Sequence, residues 1–275
     1  MSGATPAFLL RTAEIAAQKL VEQYGLAVAQ PIPVDAVARA VGVDVRLGGL
    51  RGAAARLSVL HGMGMIRVAD DGISPARIRF GIAHELGHYL LHRDELPDAC
   101  READLHLWGG RRFEHQANVF ASELLLPAAV VRPLCEHDEV LMENVQLLAR
   151  QFDVSLTAAA LRYAAFSPVP CAVVMSDGLS VKWAKPGTAW PWRLREKGEP
   201  LHQNSLAYRM HQHLIRSQEA NDTVEGPAWV TESEADSLVL AEACVRMPVL
   251  GWSLSLLSVE EEPDGEDDDE SRLPP

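Results

Sequence analysis

Arg77-Ile78-Arg79-Phe80-Gly81-Ile82-Ala83-His84-Glu85-Leu86-Gly87-His88-Tyr89-Leu90-Leu91-His92-Arg93 is the stretch whose reading decides the rest of the chain. An α-helix turns about 100° per residue, so His84 and His88 project only about 40° apart and can face one metal ion. Glu85 lies on the flank of that face. Two neutral imidazoles on a metal, with a carboxylate beside them to take a proton from activated water, fit zinc-assisted hydrolysis. Phe80, Ala83, Leu86, Leu90 and Leu91 form an apolar stripe at helical spacing. Pro75 stops any preceding helix, and Ser74 is placed to cap this one. Gly81 and Gly87 each cost a helix about 1 kcal/mol relative to alanine, and Gly87, between the histidines, leaves room for another backbone. The plain alternative, a core helix with two hydrogen-bonded histidines, is disfavoured by the specificity of the motif.

A catalytic zinc needs a third protein ligand and an open position. The next strong helical pattern is Arg112 to Leu126, ended by Pro127, with Phe113, Ala117, Phe120, Ala121, Leu124 and Leu125 on its apolar side. Glu114 is the expected third ligand. Asn118, one turn on, can orient a ligand histidine through its second ring nitrogen. Rivals are Glu123, about 180° around the helix from Glu114, His115, which points elsewhere, and His92, which is expected to line the site or bond to backbone.

The run from Arg79 to His92, followed by Glu114-His115-Gln116-Ala117-Asn118-Val119-Phe120-Ala121-Ser122-Glu123-Leu124-Leu125-Leu126-Pro127, resembles the ImmA/IrrE family of metallopeptidases. Its long C-terminal extension is most similar to the IrrE type, which governs radiation and desiccation responses. The resemblance implies a zincin-like fold and a cytoplasmic protease that cuts repressors of the helix-turn-helix XRE class. It places the metal on His84, His88 and Glu114, with Glu85 as the proton carrier. Gln116 stands where a second glutamate is common in the family, and Gly81 where threonine is common. The ligand set suits Zn2+ and leaves Mn2+ or Fe2+ open, because ligand type alone selects weakly.

The 275 residues allow about two domains, and 48% hydrophobic content is ample for buried cores. The formal charge is −13, of which residues 260–275, with nine acidic residues and one arginine, carry −8. Such a tail is expected to be solvated and disordered. Met1 to Leu10 lacks a signal pattern, and no stretch is long and apolar enough to span a bilayer. Cys100, Cys135, Cys171 and Cys244 form no paired metal motif and read as reduced thiols.

Thr5 to Tyr24 and Val34 to Val41 read as helices. Val43 to Leu47, 56–60 and 63–68 read as strands of a small sheet beside the metal helix. An edge strand there can hold a peptide by backbone hydrogen bonds, or simply pack. Asp94 to Arg111, with Trp108, reads as a loop. Beyond Pro127, Ala128 to Glu136 is helical, and Val145 to Phe166 resembles a helix-turn-helix with Asp153 in its turn and Ser155 as a cap. Arg150 and Arg162 are its only cations, too few for a DNA footprint, so direct DNA binding is not expected.

After Pro170, strands are expected at Cys171 to Met175 and Leu179 to Ala184, joined at Ser176-Asp177-Gly178. Lys185 to Pro200 reads as a loop and Asn204 to Glu219 as a helix. Ala228 to Thr231, Ser237 to Met247 and Leu250 to Val259 read as further strands. The fold class is therefore α+β. A zincin-like domain with a small sheet and the His-Glu-x-x-His helix covers 1–127, and a helix-turn-helix-like segment 128–168. By resemblance to IrrE-type proteins, 169–259 is a GAF-like sensor domain open to a signal ligand, and 260–275 is the acidic tail. His202, His211 and His213 are equally surface residues or a second metal site. The competing functional class is a non-proteolytic DNA-binding or scaffold regulator whose metal is structural.

Overall fold

The computed structural model describes residues 6–50, 53–69, 72–93 and 110–260. Most of the expected loop at Asp94 to Arg111, with Trp108 and Cys100, and nearly all of the acidic tail lie outside the described residues. The chain divides into two compact units, Met1–Glu136 with Glu143–Tyr163, and His137–Met142 with Ala164–Pro275. Among the described residues no single helix is long and apolar enough to cross a membrane.

The first unit opens with helices α1 (Pro6–Gln23) and α2 (Val34–Ala40), then strands β1 (Val43–Leu47), β2 (Ala55–Leu60) and β3 (Met63–Val68). These strands form a sheet of order β1-β3-β2, with β1 parallel and β2 antiparallel to the central β3. Among the described residues, one side of β2 is therefore an open edge. Helix α3 (Pro75–His92) carries the histidine motif and α4 (Gly110–Leu125) carries Glu114. Ser74 takes the capping position of α3 with extended backbone, but its hydroxyl makes no capping bond. Pro75 fills the first helical position, where a missing N–H costs nothing.

The two glycines of α3 have distinct packing reasons. A Cβ on Gly81 would meet Ala55 Cβ at 3.0 Å, so β2 can approach. A Cβ on Gly87 would meet Phe120 at 3.0 Å and the Ala117 Cα at 3.2 Å, so α4 can lie against α3 between the histidines. The expected room for a second backbone is filled by the helix that supplies Glu114.

After α4 the expected helix at Ala128 to Glu136 is a short α5 (Ala128–Val131) that tightens into a 3-10 turn at Arg132–Cys135, where Pro133 removes an N–H. Helices α6 (Met142–Phe152) and α7 (Leu156–Phe166) follow. Asp153 sits between them at φ 49°, the left-handed conformation usually left to glycine. Arg79 of α3 binds this turn, donating to Asp153 O at 3.1 Å and lying 3.4 Å from its carboxylate. Ser155 caps α7 by accepting from Ala158 N–H.

Glu123 ties the helices together. Its buried carboxylate accepts from Gln18 of α1, from Ala128 N–H at the start of α5, and from the Arg162 guanidinium of α7. It is a packing centre and lies away from the metal motif, as its position around the helix predicts.

The second unit is an antiparallel five-stranded sheet of order β5-β4-β8-β7-β6, built from β4 (Cys171–Asp177), β5 (Ser180–Pro186), β6 (Glu219–Glu225), β7 (Val239–Met247) and β8 (Trp252–Val259). Gly178, at φ 56°, makes the β4–β5 turn. Its core joins Trp229, Leu206, Met210, Leu240 and Leu257.

Two expectations are corrected here, and one strand went unforeseen. The helix expected at Asn204 to Glu219 is only α8 (Leu206–His211); His213 at φ 59° reverses the chain, and Arg246 binds Met210 O and Ile215 O at the helix end. Residues Glu219–Glu225 are strand β6, in which Val224 is the only buried residue, so no apolar alternation reveals it. Ala228 to Thr231 is not a strand: a 3-10 turn at Gly226–Ala228 leads into a single bridge between Leu194 and Val230.

Breaking a buried ion pair strands the remaining charge, at about 3 to 5 kcal/mol. Arg162→Met should therefore lower the stability of the first unit by about 3 kcal/mol. Urea unfolding of the full chain followed by circular dichroism measures this, and a loss under about 1 kcal/mol would reduce the pair to the worth of a surface bridge.

Candidate metal centre

Helix α3 presents His84 and His88 toward α4, and the packing at Gly87 brings Glu114 opposite them. The Nε2 atoms of His84 and His88 are 3.1 Å apart. Glu114 Oε2 lies 3.4 Å from His84 Nε2, and its Oε1 lies 3.4 Å from His88 Nε2. Among the described residues this is the one cluster of three or more side chains able to hold a metal. Ligand atoms on a tetrahedral ion with bonds of about 2.0 to 2.1 Å are about 3.3 Å apart. The two imidazole nitrogens are near that separation, each has one oxygen of the Glu114 carboxylate at 3.4 Å, and one ligand atom from each residue can be chosen within 4.8 Å of the other two, so the residues fit zinc. His88 is buried, whereas Glu114 keeps a third of its side-chain surface exposed.

The histidines are oriented differently. His84 Nδ1 is 3.0 Å from Asn118 Oδ1, the arrangement expected from the spacing of Glu114 and Asn118. His88 Nδ1 is 3.1 Å from His92 Nδ1, and His92 Nε2 is 3.3 Å from Gln116 Oε1. His92, stacked on Phe113, therefore bonds to a ligand side chain and not to backbone. His115 is exposed and turned elsewhere. The His92–Gln116 pairing was hidden in the sequence: His92 lies one turn from the ligand His88, but Gln116, two residues from Glu114, projects about 200° around the helix from that ligand.

Glu85 is held by β2. Its Oε2 accepts from Leu57 N–H at 3.1 Å, which fixes the carboxylate against the open edge of the sheet. Burial raises its pKa, against the pull of His84, His88 and the Leu57 N–H. Hydrogen bonds from His84 and His88 hold Glu114 well below the usual carboxylate range in spite of burial. For His84, burial acts downward but is outweighed by the Glu114 hydrogen bond and the charges of Glu85 and Glu114, so its pKa is raised. Burial and the neighbouring His88 lower His92 to about 4, which keeps it neutral.

The other histidines do not assemble a second centre among the described residues. His211 bonds to Ser176 and Ser253, and His202 accepts from Asn204 N–H. Cys135, Cys171 and Cys244 are buried and form no disulfide among the described residues, and burial pushes the Cys171 and Cys244 thiols up to about 11 and about 12. Cys171 and Cys244 are therefore unsuited to nucleophilic or metal chemistry at neutral pH.

Residues 38–163 match the family model of the IrrE N-terminal-like domain, Peptidase M78. The match ends at Tyr163, where the first compact unit also ends. Among solved structures, a Mycobacterium tuberculosis transcriptional regulator is similar in fold, with a TM-score of 0.59 at 17% identity over 90% of this chain and 76% of that one. No curated protein matches the chain.

A metal must displace the imidazole proton, and His84 keeps that proton to a higher pH than a free imidazole. Zinc affinity should therefore fall as pH drops, beginning above the ordinary imidazole range, and by at least about tenfold between pH 8 and about pH 5.5. Competition titration with a chromophoric chelator checks this; a flat profile would mean that no imidazole proton is displaced.

Proposed function

From the match of residues 38–163 to the model of the IrrE N-terminal-like domain, peptidase M78, we propose that the chain is a zinc-dependent endopeptidase that cleaves a helix-turn-helix repressor of the XRE class. The observation that carries this reading is the triangle of His84, His88 and Glu114, with Glu85 fixed beside it by Leu57 N–H. Zinc held by those three residues would supply Lewis-acid polarisation of a carbonyl and activation of water at neutral pH. Glu85, with its pKa raised by burial, takes the proton from water and returns it to the leaving amine. Asn118 keeps His84 aimed, and the scissile bond would enter beside the part-exposed Glu114.

A protein substrate is supported by β2. Groups along one edge of a strand alternate, so the outward N–H of Leu57 makes Val59 the next residue to direct its N–H and C=O to that edge. A peptide added there would be held by its backbone and would lie along the side from which Glu85 acts. Cleaving the repressor would release the genes it holds down, in a radiation or desiccation response. The second unit, read as GAF-like, would sense the signal and adjust access. A regulatory setting agrees with the mycobacterial structural neighbour, which is described as a transcriptional regulator.

The DNA-binding alternative is weakened at α6 and α7. Arg162 is committed to Glu123 and Leu126 O, which leaves Arg150 as the exposed cation of that pair of helices.

The test is incubation of the zinc-loaded chain with its candidate XRE-class repressor, beside Glu85→Gln, with products read by intact mass. A single cut is expected, slowed at least about 100-fold in the variant with zinc content unchanged. A chelator should abolish it and added zinc restore it. No cut at full zinc occupancy would sink the protease reading and favour the non-proteolytic regulator.

A further inference from the structure

We propose that His92 and Gln116 are positioning residues for the ligand His88, acting through a one-way chain of hydrogen bonds that starts at a backbone carbonyl of α1. The proposal rests on the metal-centre reading above. Gln116 Nε2 donates to Leu9 O at 3.0 Å, Gln116 Oε1 is 3.3 Å from His92 Nε2, and His92 Nδ1 is 3.1 Å from His88 Nδ1. His88 Nε2 faces Glu114 and His84.

The direction of every link follows from its far end. A carbonyl oxygen has no proton, so Leu9 O can only accept, and the Gln116 amide must turn its NH2 toward it. That leaves Gln116 Oε1 to accept from His92, which must then carry its proton on Nε2. A neutral imidazole has one N–H, so His92 Nδ1 is an acceptor, and the proton between the two rings belongs to His88 Nδ1. His88 Nε2 faces Glu114, and a metal that displaces any proton held there meets its lone pair. Starting from the metal gives the same answer, because an imidazole that gives Nε2 to a metal must hold its proton on Nδ1. The backbone of α1 therefore fixes a proton on His88 Nδ1, the nitrogen turned away from the metal position, before any metal arrives.

This account gives Gln116 a specific chemistry. The position needs one acceptor toward His92 and one donor toward Leu9 O. An amide provides both, whereas a carboxylate would set an oxygen against the carbonyl. Burial of His92 and Gln116 limits competing partners from water. His84 is different, since its orienting residue Asn118 is exposed and ends at solvent.

The experiment has two arms on the full chain. In metal-free wild type, a long-range 1H–15N correlation spectrum of the imidazole rings is expected to show His88 protonated at Nδ1 and His92 at Nε2. In Gln116→Leu and His92→Phe, zinc affinity measured by chelator competition is expected to fall about 10- to 100-fold, with the Gln116→Leu chain losing the fixed His88 tautomer. The spectrum of the wild type decides the matter even if a variant folds poorly. The opposite tautomers, or variants that bind zinc as tightly as wild type, would overturn the proposal and leave the metal centre standing. A wild type with the expected tautomers that binds no zinc would overturn the metal centre, and the positioning role with it.

Discussion

The approach of α4 to α3 at Gly87 is the constraint from which the centre follows. With Ala117 and Phe120 this close to Gly87, the carboxylate of Glu114 reaches both histidine Nε2 atoms. A side chain at residue 87 would push the helices apart, and ligand atoms that must sit about 3.3 Å from one another on a metal tolerate little of that. The cost of glycine within a helix, about 1 kcal/mol, is offset by the packing it allows. Gly81 serves β2 in the same way, bringing Leu57 N–H to Glu85.

Charge is distributed across this centre so that each group prepares its neighbours. Glu114 is held ionised by the two histidines, which is the state a ligand requires. Glu85, one residue from His84, is instead pushed toward protonation by burial, which suits a group that gains and loses a proton. Two carboxylates on one site thus have opposed tendencies, set by burial on one side and by hydrogen bonds on the other.

Both units also contain a buried carboxylate that organises helices without chemistry. Glu123 joins α1, α5 and α7 in the first. In the second, Glu242 accepts from Leu206 and Ala207 N–H at the start of α8, from the Trp229 indole and from Ser255, at 2.7 to 2.9 Å. Burial raises the pKa of Glu242 while these donors pull it back. Neither glutamate differs in its sequence setting from a surface residue, and only the partners contributed by distant segments make it structural.

The sequence alone determined what depends on local geometry. A spacing of four residues puts His84 and His88 on one helix face, and the same spacing relates Glu114 to Asn118; the β1 to β3 strands and the α3 and α4 helices were legible from their periodicity for the same reason. Tertiary structure decided what depends on residues far apart in the chain. The end of α8 is set by Arg246 and by a left-handed His213, and β6 is a polar edge strand that only its partner β7 defines. His92 and Gln116 acquire their roles because the carbonyl of Leu9, more than a hundred residues away, accepts a hydrogen bond from Gln116. Periodicity records which face a side chain occupies, but it holds no information about which donor or acceptor another segment will bring to that face.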